Sequence, residues 1–171
     1  WLFGIDFDRI EVVVHPQSII HSLVEFIDGS FLGQLGAPDM RLPIQYALSY
    51  PERWKASGER LDLLKLGSLT FEPPRLADFP CLVYAYEAGR RGGTLPCTMN
   101  AANEVAVAAF LRGDIGFTDI PAVIRSVMDS LPFHPSPDLE MLLNQDELAR
   151  GAAAVQVAAR AAARLTGAAA A

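Results

Sequence analysis

Only two cysteines, Cys81 and Cys97, occur in the 171 residues, too few for a disulfide scaffold and not at zinc-site spacing. Their apolar neighbours read both as reduced, buried small side chains. No H-x-x-x-H, H-x-H or C-x-x-C pair exists, which argues against an autonomous metal site. Basic residues are few and scattered: the net charge is −6 and the one basic cluster is Arg90-Arg91, so a phosphate-backbone binder is excluded. No apolar run approaches the roughly 20 residues a bilayer demands, and no secretory arrangement opens the chain. These absences point to a reducing, cytoplasm-like compartment and away from membrane and nucleic acid. Also missing is an initiating Met: "WLFGIDF" reads as cut from something longer.

What is present is enough for folding. Hydrophobic residues make up 51% of the chain and mean hydropathy is +0.22, values of a folded protein. Alanine concentrated after Gly151 inflates both. The fold class expected is α+β: a partial, mainly antiparallel sheet followed by a C-terminal helical bundle. The β-branched run from Ile10 to Val14 predicts a strand buried on both faces. Ile19–Phe26 and Ser30–Gly36 predict two more, joined at Asp28-Gly29 by a tight hairpin turn. Gly33 marks a bulge or a close approach. Asp39 begins a helix that closes at Pro51, with Pro43 in its first turn.

Residues 55–78 form an extended crossover without sustained period. Helical patterning takes over from Phe79. "CLVYAYEAGRRGG" stops at Gly. The next helix is expected to be capped by Asn100, with Val105, Ala108, Ala109 and Leu111 as its apolar stripe. Thr118 caps a third helix, and a last one runs from about Asn144 to Arg164. The domain division expected is therefore 1–54, a linker at 55–78, a bundle at 79–166 and a disordered tail at 167–171.

Chemistry-bearing residues concentrate in "HPQSIIHS". On one straight strand, His15 and His21 would lie roughly 20 Å apart at about 3.3 Å per residue, too far to share an ion. His134 reads as a loop residue. Gly29, Gly33 and Gly36 follow a hairpin instead of opening a crossover helix, so they are no dinucleotide fingerprint. "GRRGG" lacks the Lys-Ser/Thr of a P-loop, and no G-x-S-x-G elbow occurs. Asp39 and Glu104 read as helix-start residues. No complete catalytic set emerges. The polar cluster between apolar neighbours is either a satisfied piece of core or one wall of a pocket, with "LGAPDMR" able to cover a flat ligand.

Two composite stretches then become familiar. "HPQSIIHSLVEFIDGSFLGQLGAPDMRLPIQYALSYPERW" and, later, "LPCTMNAANEVAVAAFL" resemble the C-terminal part of 1-deoxy-D-xylulose 5-phosphate reductoisomerase, over Trp1 to about Arg164. The resemblance implies an enzyme of the non-mevalonate isoprenoid pathway. It rearranges 1-deoxy-D-xylulose 5-phosphate and reduces the product to 2-C-methyl-D-erythritol 4-phosphate, using NADPH with Mg or Mn. It implies a homodimer, paired through the strands at Ile19–Phe26 and Ser30–Gly36, in the cytoplasm or a plastid stroma.

The resemblance also implies what lies elsewhere. The Gly-rich NADPH motif, the acidic metal ligands and the substrate-phosphate residues all precede Trp1, which itself ends a catalytic-domain helix. The N-terminal NADPH-binding and catalytic segments are thus the partners this chain needs. Alone it is expected to bind neither NADPH nor metal and to turn over nothing. On this chain the resemblance marks His21 as a supporting residue near the active site. It places Pro38 and Met40 at the edge of the nicotinamide and substrate pocket, and makes the helices after Phe79 a brace. A non-catalytic helical-bundle dimerisation module is the alternative, and a small metal enzyme built on His15, His21 and His134 the remote one.

Overall fold

Asp28 and Gly29 set the first element. The Asp28 carboxylate accepts hydrogen bonds from the Ser30 amide and hydroxyl, and Gly29 takes φ +80°, a conformation that glycine adopts at little cost. The strands they join are β1 (Ile20–Glu25) and β2 (Phe31–Leu35), an antiparallel hairpin. Gly33 pairs with Leu23, whose side chain fills the space a Cβ would need: its Cδ2 lies 2.8 Å from that point. The glycine is there for close approach, and the bulge lies elsewhere, between Ile20 and Ser22.

The computed structural model describes residues 2–55 and 58–168. Trp1, Ala56, Ser57 and residues 169–171 lie outside the described residues, and with them part of the expected helix end, crossover and tail. The described chain forms two compact units: Glu11–Pro74 is one, and the residues up to Ile10 together with those from Arg75 onward are the other. The α+β class is as expected.

In the Glu11–Pro74 unit the hairpin is followed by α1 (Arg41–Ser49) and the single-turn α2 (Leu63–Leu66). Asp62 caps α2 by accepting the Leu64 amide. The expected third strand, from Ile10 to Val14, is not formed. Val12, Val13 and Val14 remain 42%, 48% and 41% exposed, and only Val14 pairs, in an isolated bridge to Glu72. A β-branched run becomes a strand through neighbours on both sides, and among the described residues one bridge is all it has. Ile19 is this unit's one buried large apolar residue among those described.

The second unit is helical: α3 (Cys81–Arg91), α4 (Leu95–Arg112), α5 (Asp119–Ser130) and α6 (Leu139–Ala168). Helix α4 packs against both α5 and α6. Its Ala101, Ala102, Ala106 and Ala109 are fully buried, because small side chains let helix backbones approach closely while Val123, Ile124 and Val127 of α5 fill the space between. The expected stripe was rotated: Ala108 is exposed and Leu111 is 77% exposed. The expected cap was misplaced as well. Helix α4 begins at Leu95 with Pro96 in its first turn, and Asn100 sits inside it, donating to Glu104 at 3.1 Å.

Thr118 precedes α5 but makes no side-chain cap; Asp119 instead accepts the Gly116 amide at 2.8 Å. Helix α6 starts a turn and more before Asn144, at Leu139, because Asp138 accepts the Met141 amide and supplies the cap. Charged pairs tie the helices together. Arg125 of α5 reaches Glu87 of α3 and Asp129, and Arg150 of α6 reaches Glu104 of α4 and Asp146.

Candidate functional site

The β-bulge decides where His21 points. Ile20 pairs with Leu35 and Ser22 with Gln34, so two steps along β1 meet one step along β2 and His21 is the extra residue. Bulges re-aim a side chain and recur beside active sites. Here the imidazole Nε2 meets the Gly36 carbonyl at 3.2 Å, and since a carbonyl only accepts, Nε2 carries the proton. The Gly36 amide in turn donates to Ile19 O at 3.0 Å. Gly36 is therefore held from both its polar groups, and it opens the turn at residues 37–40.

That turn is stiffened again at Asp39. Its amide donates to Ala37 O at 2.8 Å, while its carboxylate accepts the Arg41 amide and forks onto the Arg41 guanidinium, with Nη2–Oδ2 at 2.6 Å. The Arg41 side chain holds the Asp39 carboxyl below its usual range, helped by the Arg41 backbone N–H. Pro38, with φ fixed by its ring, and Met40, 70% exposed, flank this aspartate. The turn is thus a preorganised ledge bearing an exposed thioether.

The two histidines do different things. His15 Nδ1 donates to Thr70 O at 2.8 Å, and its ring stacks on Phe71 with centroids 5.0 Å apart. Its Nε2 is the one buried side-chain polar atom without a partner among the described residues. His15 and His21 both line a shallow cavity of about 260 Å³, with Val12, Val13, Ile20 and Phe71 among its other walls. No three His, Cys, Asp or Glu side chains come together as a ligand set among the described residues. His134 is a loop residue in the helical unit, its backbone exchanging hydrogen bonds with Thr94.

Sequence reasoning singled out His21, Pro38 and Met40 as candidates and did not anticipate the bulge that orients the first. It also missed the partnership of His15 and Gln17 with Thr70, across 53 residues or more. No local signal marks that pairing, since Thr70 sits in the aperiodic stretch. Of the cysteines, Cys81 and Cys97 are both free and half-buried, and burial raises each thiol above its ordinary value. No helix among the described residues is long and apolar enough to cross a membrane.

Known proteins resemble this arrangement. A family model described as the DXP reductoisomerase C-terminal domain matches residues 35–152. The 1-deoxy-D-xylulose 5-phosphate reductoisomerase of Heliobacterium modesticaldum is 59% identical over 150 residues, which is 88% of this chain and 38% of that protein. That of Cupriavidus taiwanensis is 55% identical over 164 residues, 96% of this chain and 42% of its own length. Among solved structures, the Zymomonas mobilis enzyme in complex with NADPH aligns with a TM-score of 0.83 at 45% identity, covering 91% of this chain and 41% of that one. A reductoisomerase in complex with NADPH, fosmidomycin and magnesium aligns at 0.84 and 44%, covering 91% and 40%. The chain spans about two fifths of the length of the proteins it matches.

Proposed function

From the premise that this chain belongs to the DXP reductoisomerase C-terminal domain family, we propose that it is the C-terminal portion of a 1-deoxy-D-xylulose 5-phosphate reductoisomerase. The whole protein then rearranges that substrate and reduces the product to 2-C-methyl-D-erythritol 4-phosphate. The observation that carries the reading is 59% identity sustained over 150 residues, from the hairpin unit into the bundle.

Among the described residues no three His, Cys, Asp or Glu side chains come together as a ligand set, and the loop between β2 and α1 carries a single glycine, Gly36, in place of a Gly-rich fingerprint. NADPH and a divalent ion, Mg or Mn, would supply hydride and Lewis acidity from sites built on the N-terminal NADPH-binding and catalytic segments. The chain's share is support. His21 donates to Gly36 O and seats the turn that follows. The Asp39–Arg41 fork fixes the turn's far end, and Pro38 and Met40 present an apolar edge able to exclude water from a flat ring. In this reading His21 is a positioning residue and Pro38 and Met40 touch the cofactor or substrate.

In this reading residues 1–54 are the end of the catalytic part, 55–78 the crossover and 79–166 a helical bundle that does no chemistry. We further read the protein as a cytoplasmic homodimer paired through the hairpin, supported by the exposure of Val24, Phe31 and Leu32 at 54%, 61% and 64%.

The test is NADPH oxidation by the complete polypeptide, followed by the absorbance of the reduced nicotinamide, with 1-deoxy-D-xylulose 5-phosphate and Mg or Mn. Turnover requiring substrate and ion is expected. Absence of turnover with either ion overturns the reading.

A further inference from the structure

His15 is built into a clamp that the functional reading above does not use. Its Nδ1–H donates to Thr70 O at 2.8 Å. Two residues on, the Gln17 amide donates to Thr70 Oγ1 at 2.9 Å, and its carbonyl accepts the Thr70 amide at 3.2 Å. Val14 and Glu72 exchange both backbone bonds at 2.9 Å. Residues 14–17 are therefore zipped to residues 70–72, 53 positions or more away in the chain.

The turn that follows is equally constrained. Ser18 takes φ +51°, unusual for a residue with a side chain, and its amide returns to His15 O at 3.0 Å. Ile19 comes next, and its carbonyl receives the Gly36 amide that seats the turn bearing Pro38 and Met40. His15 thus fixes the point from which β1 departs. Strand register matters here, because a slip of one residue would turn His21 to the opposite face.

The choice of residue is informative. Stacking on Phe71 needs only an aromatic ring. A histidine adds an Nε2 lone pair that is buried with no partner, a cost phenylalanine would not carry. What the histidine supplies in exchange is the Nδ1–H donor to Thr70. We propose that His15 is a positioning residue: through Thr70 it sets the departure of β1 and hence the seat of His21 and of the turn at residues 37–40. As a claim about catalysis this rests on the reductoisomerase reading; as a claim about placement it stands alone.

The test uses the complete polypeptide with two variants. H15F keeps a ring for Phe71 but has no donor. H15N places an amide N–H near the Nδ1 position and gives up the stack. H15F is expected to lower kcat about tenfold, the scale of a small misplacement at a distance from the chemistry, with KM for NADPH unchanged. H15N recovers most of the loss.

Amide hydrogen exchange is the second readout. In H15F the Gly36 and Ser22 amides exchange about tenfold faster while Ala106 in α4 keeps its protection. Two results overturn the proposal: Gly36 exchange in H15F matching the unsubstituted protein, or H15N faring no better than H15F in either readout. If the unsubstituted polypeptide oxidises no NADPH, the reductoisomerase reading falls, while the exchange comparison still decides the role of His15.

Discussion

The ring of Phe7 occupies the space into which a side chain at residue 89 would project: a Cβ on Gly89 would overlap Phe7 Cε1. Around this notch the Tyr86 hydroxyl donates to Ile10 O at 2.9 Å and Arg90 pairs with Asp8 at 2.9 Å. One face of α3 thereby straps down the segment from Asp6 to Ile10. A glycine inside a helix costs about 1 kcal/mol relative to alanine, so its presence is explained by the ring.

A sign reversal follows. Gly89→Ala is expected to destabilise the protein by about 1–3 kcal/mol, the usual range for overpacking. In a Phe7→Ala background the same change is expected to stabilise by about 1 kcal/mol, since helix propensity alone remains. Denaturant unfolding of the four proteins of the cycle measures both numbers. Equal effects of Gly89→Ala in the two backgrounds would show that the notch does not matter.

Gln145 supports the next prediction. It is 3% exposed, and its amide donates to Thr98 Oγ1 at 2.9 Å and to Pro132 O at 3.3 Å. Thr98 Oγ1 donates its own proton to Thr94 O, so a short polar chain runs from α6 into α4. Gln145→Leu fits the volume but leaves both acceptors without this donor. The expected loss is about 1–3 kcal/mol, seen as a lower thermal midpoint of the helical unit. An unchanged or higher midpoint would mean that water replaces the amide without cost.

The cysteines give a chemical prediction. Burial raises both thiols, and at Cys97 the Asp146 carboxylate adds to the effect while Arg150 opposes it. Thiolate is the reactive form. At neutral pH both are expected to react with iodoacetamide about tenfold or more slowly than free cysteine, and to match it only after unfolding. Fast labelling of either residue in the native protein contradicts this.

Some of this architecture was written locally in the chain, and some was not. Asp28-Gly29 determined its own turn, because one carboxylate and one positive φ suffice. Glycine at 92 ended α3 for the same kind of reason. Asn100 misled because a capping residue is defined by the break before it, and "LPCTM" contains no break. Asp138 was the better cap for α6, but Pro137 directly before it marks the break more loudly than the aspartate marks the start. The run from Ile10 to Val14 misled differently, since its pattern describes a strand with neighbours and the described residues supply one bridge.

At the candidate site, His21, Pro38 and Met40 were proposed from family resemblance alone. The bulge at His21 was not, because register depends on which residues of β2 face it. The His15–Thr70 pairing was equally hidden, being a contact between two irregular segments. The helical bundle as a free-standing dimerisation module finds no support in the proteins this chain resembles.

Asp39 provides a prediction with a definite sign. Its carboxyl lies below the ordinary 3.8, first because the Arg41 side chain donates to it and then because the Arg41 amide does. A depressed carboxyl contributes to order only while ionised: fully above the unfolded value near 3.8, and progressively less as pH falls through the lower folded value. The contribution is therefore constant at neutral pH and disappears only in acid below that point. The Arg41 amide donates directly to Asp39 Oδ1 at 2.9 Å, so its proton chemical shift reports the carboxyl's charge. Titrating the complete polypeptide by NMR is expected to give an Arg41 amide transition with a midpoint below 3.8, and Asp39→Asn is expected to abolish it. A midpoint at or above 3.8 would show that the fork does not hold the turn in solution, and the ledge carrying Pro38 and Met40 would lose its far anchor.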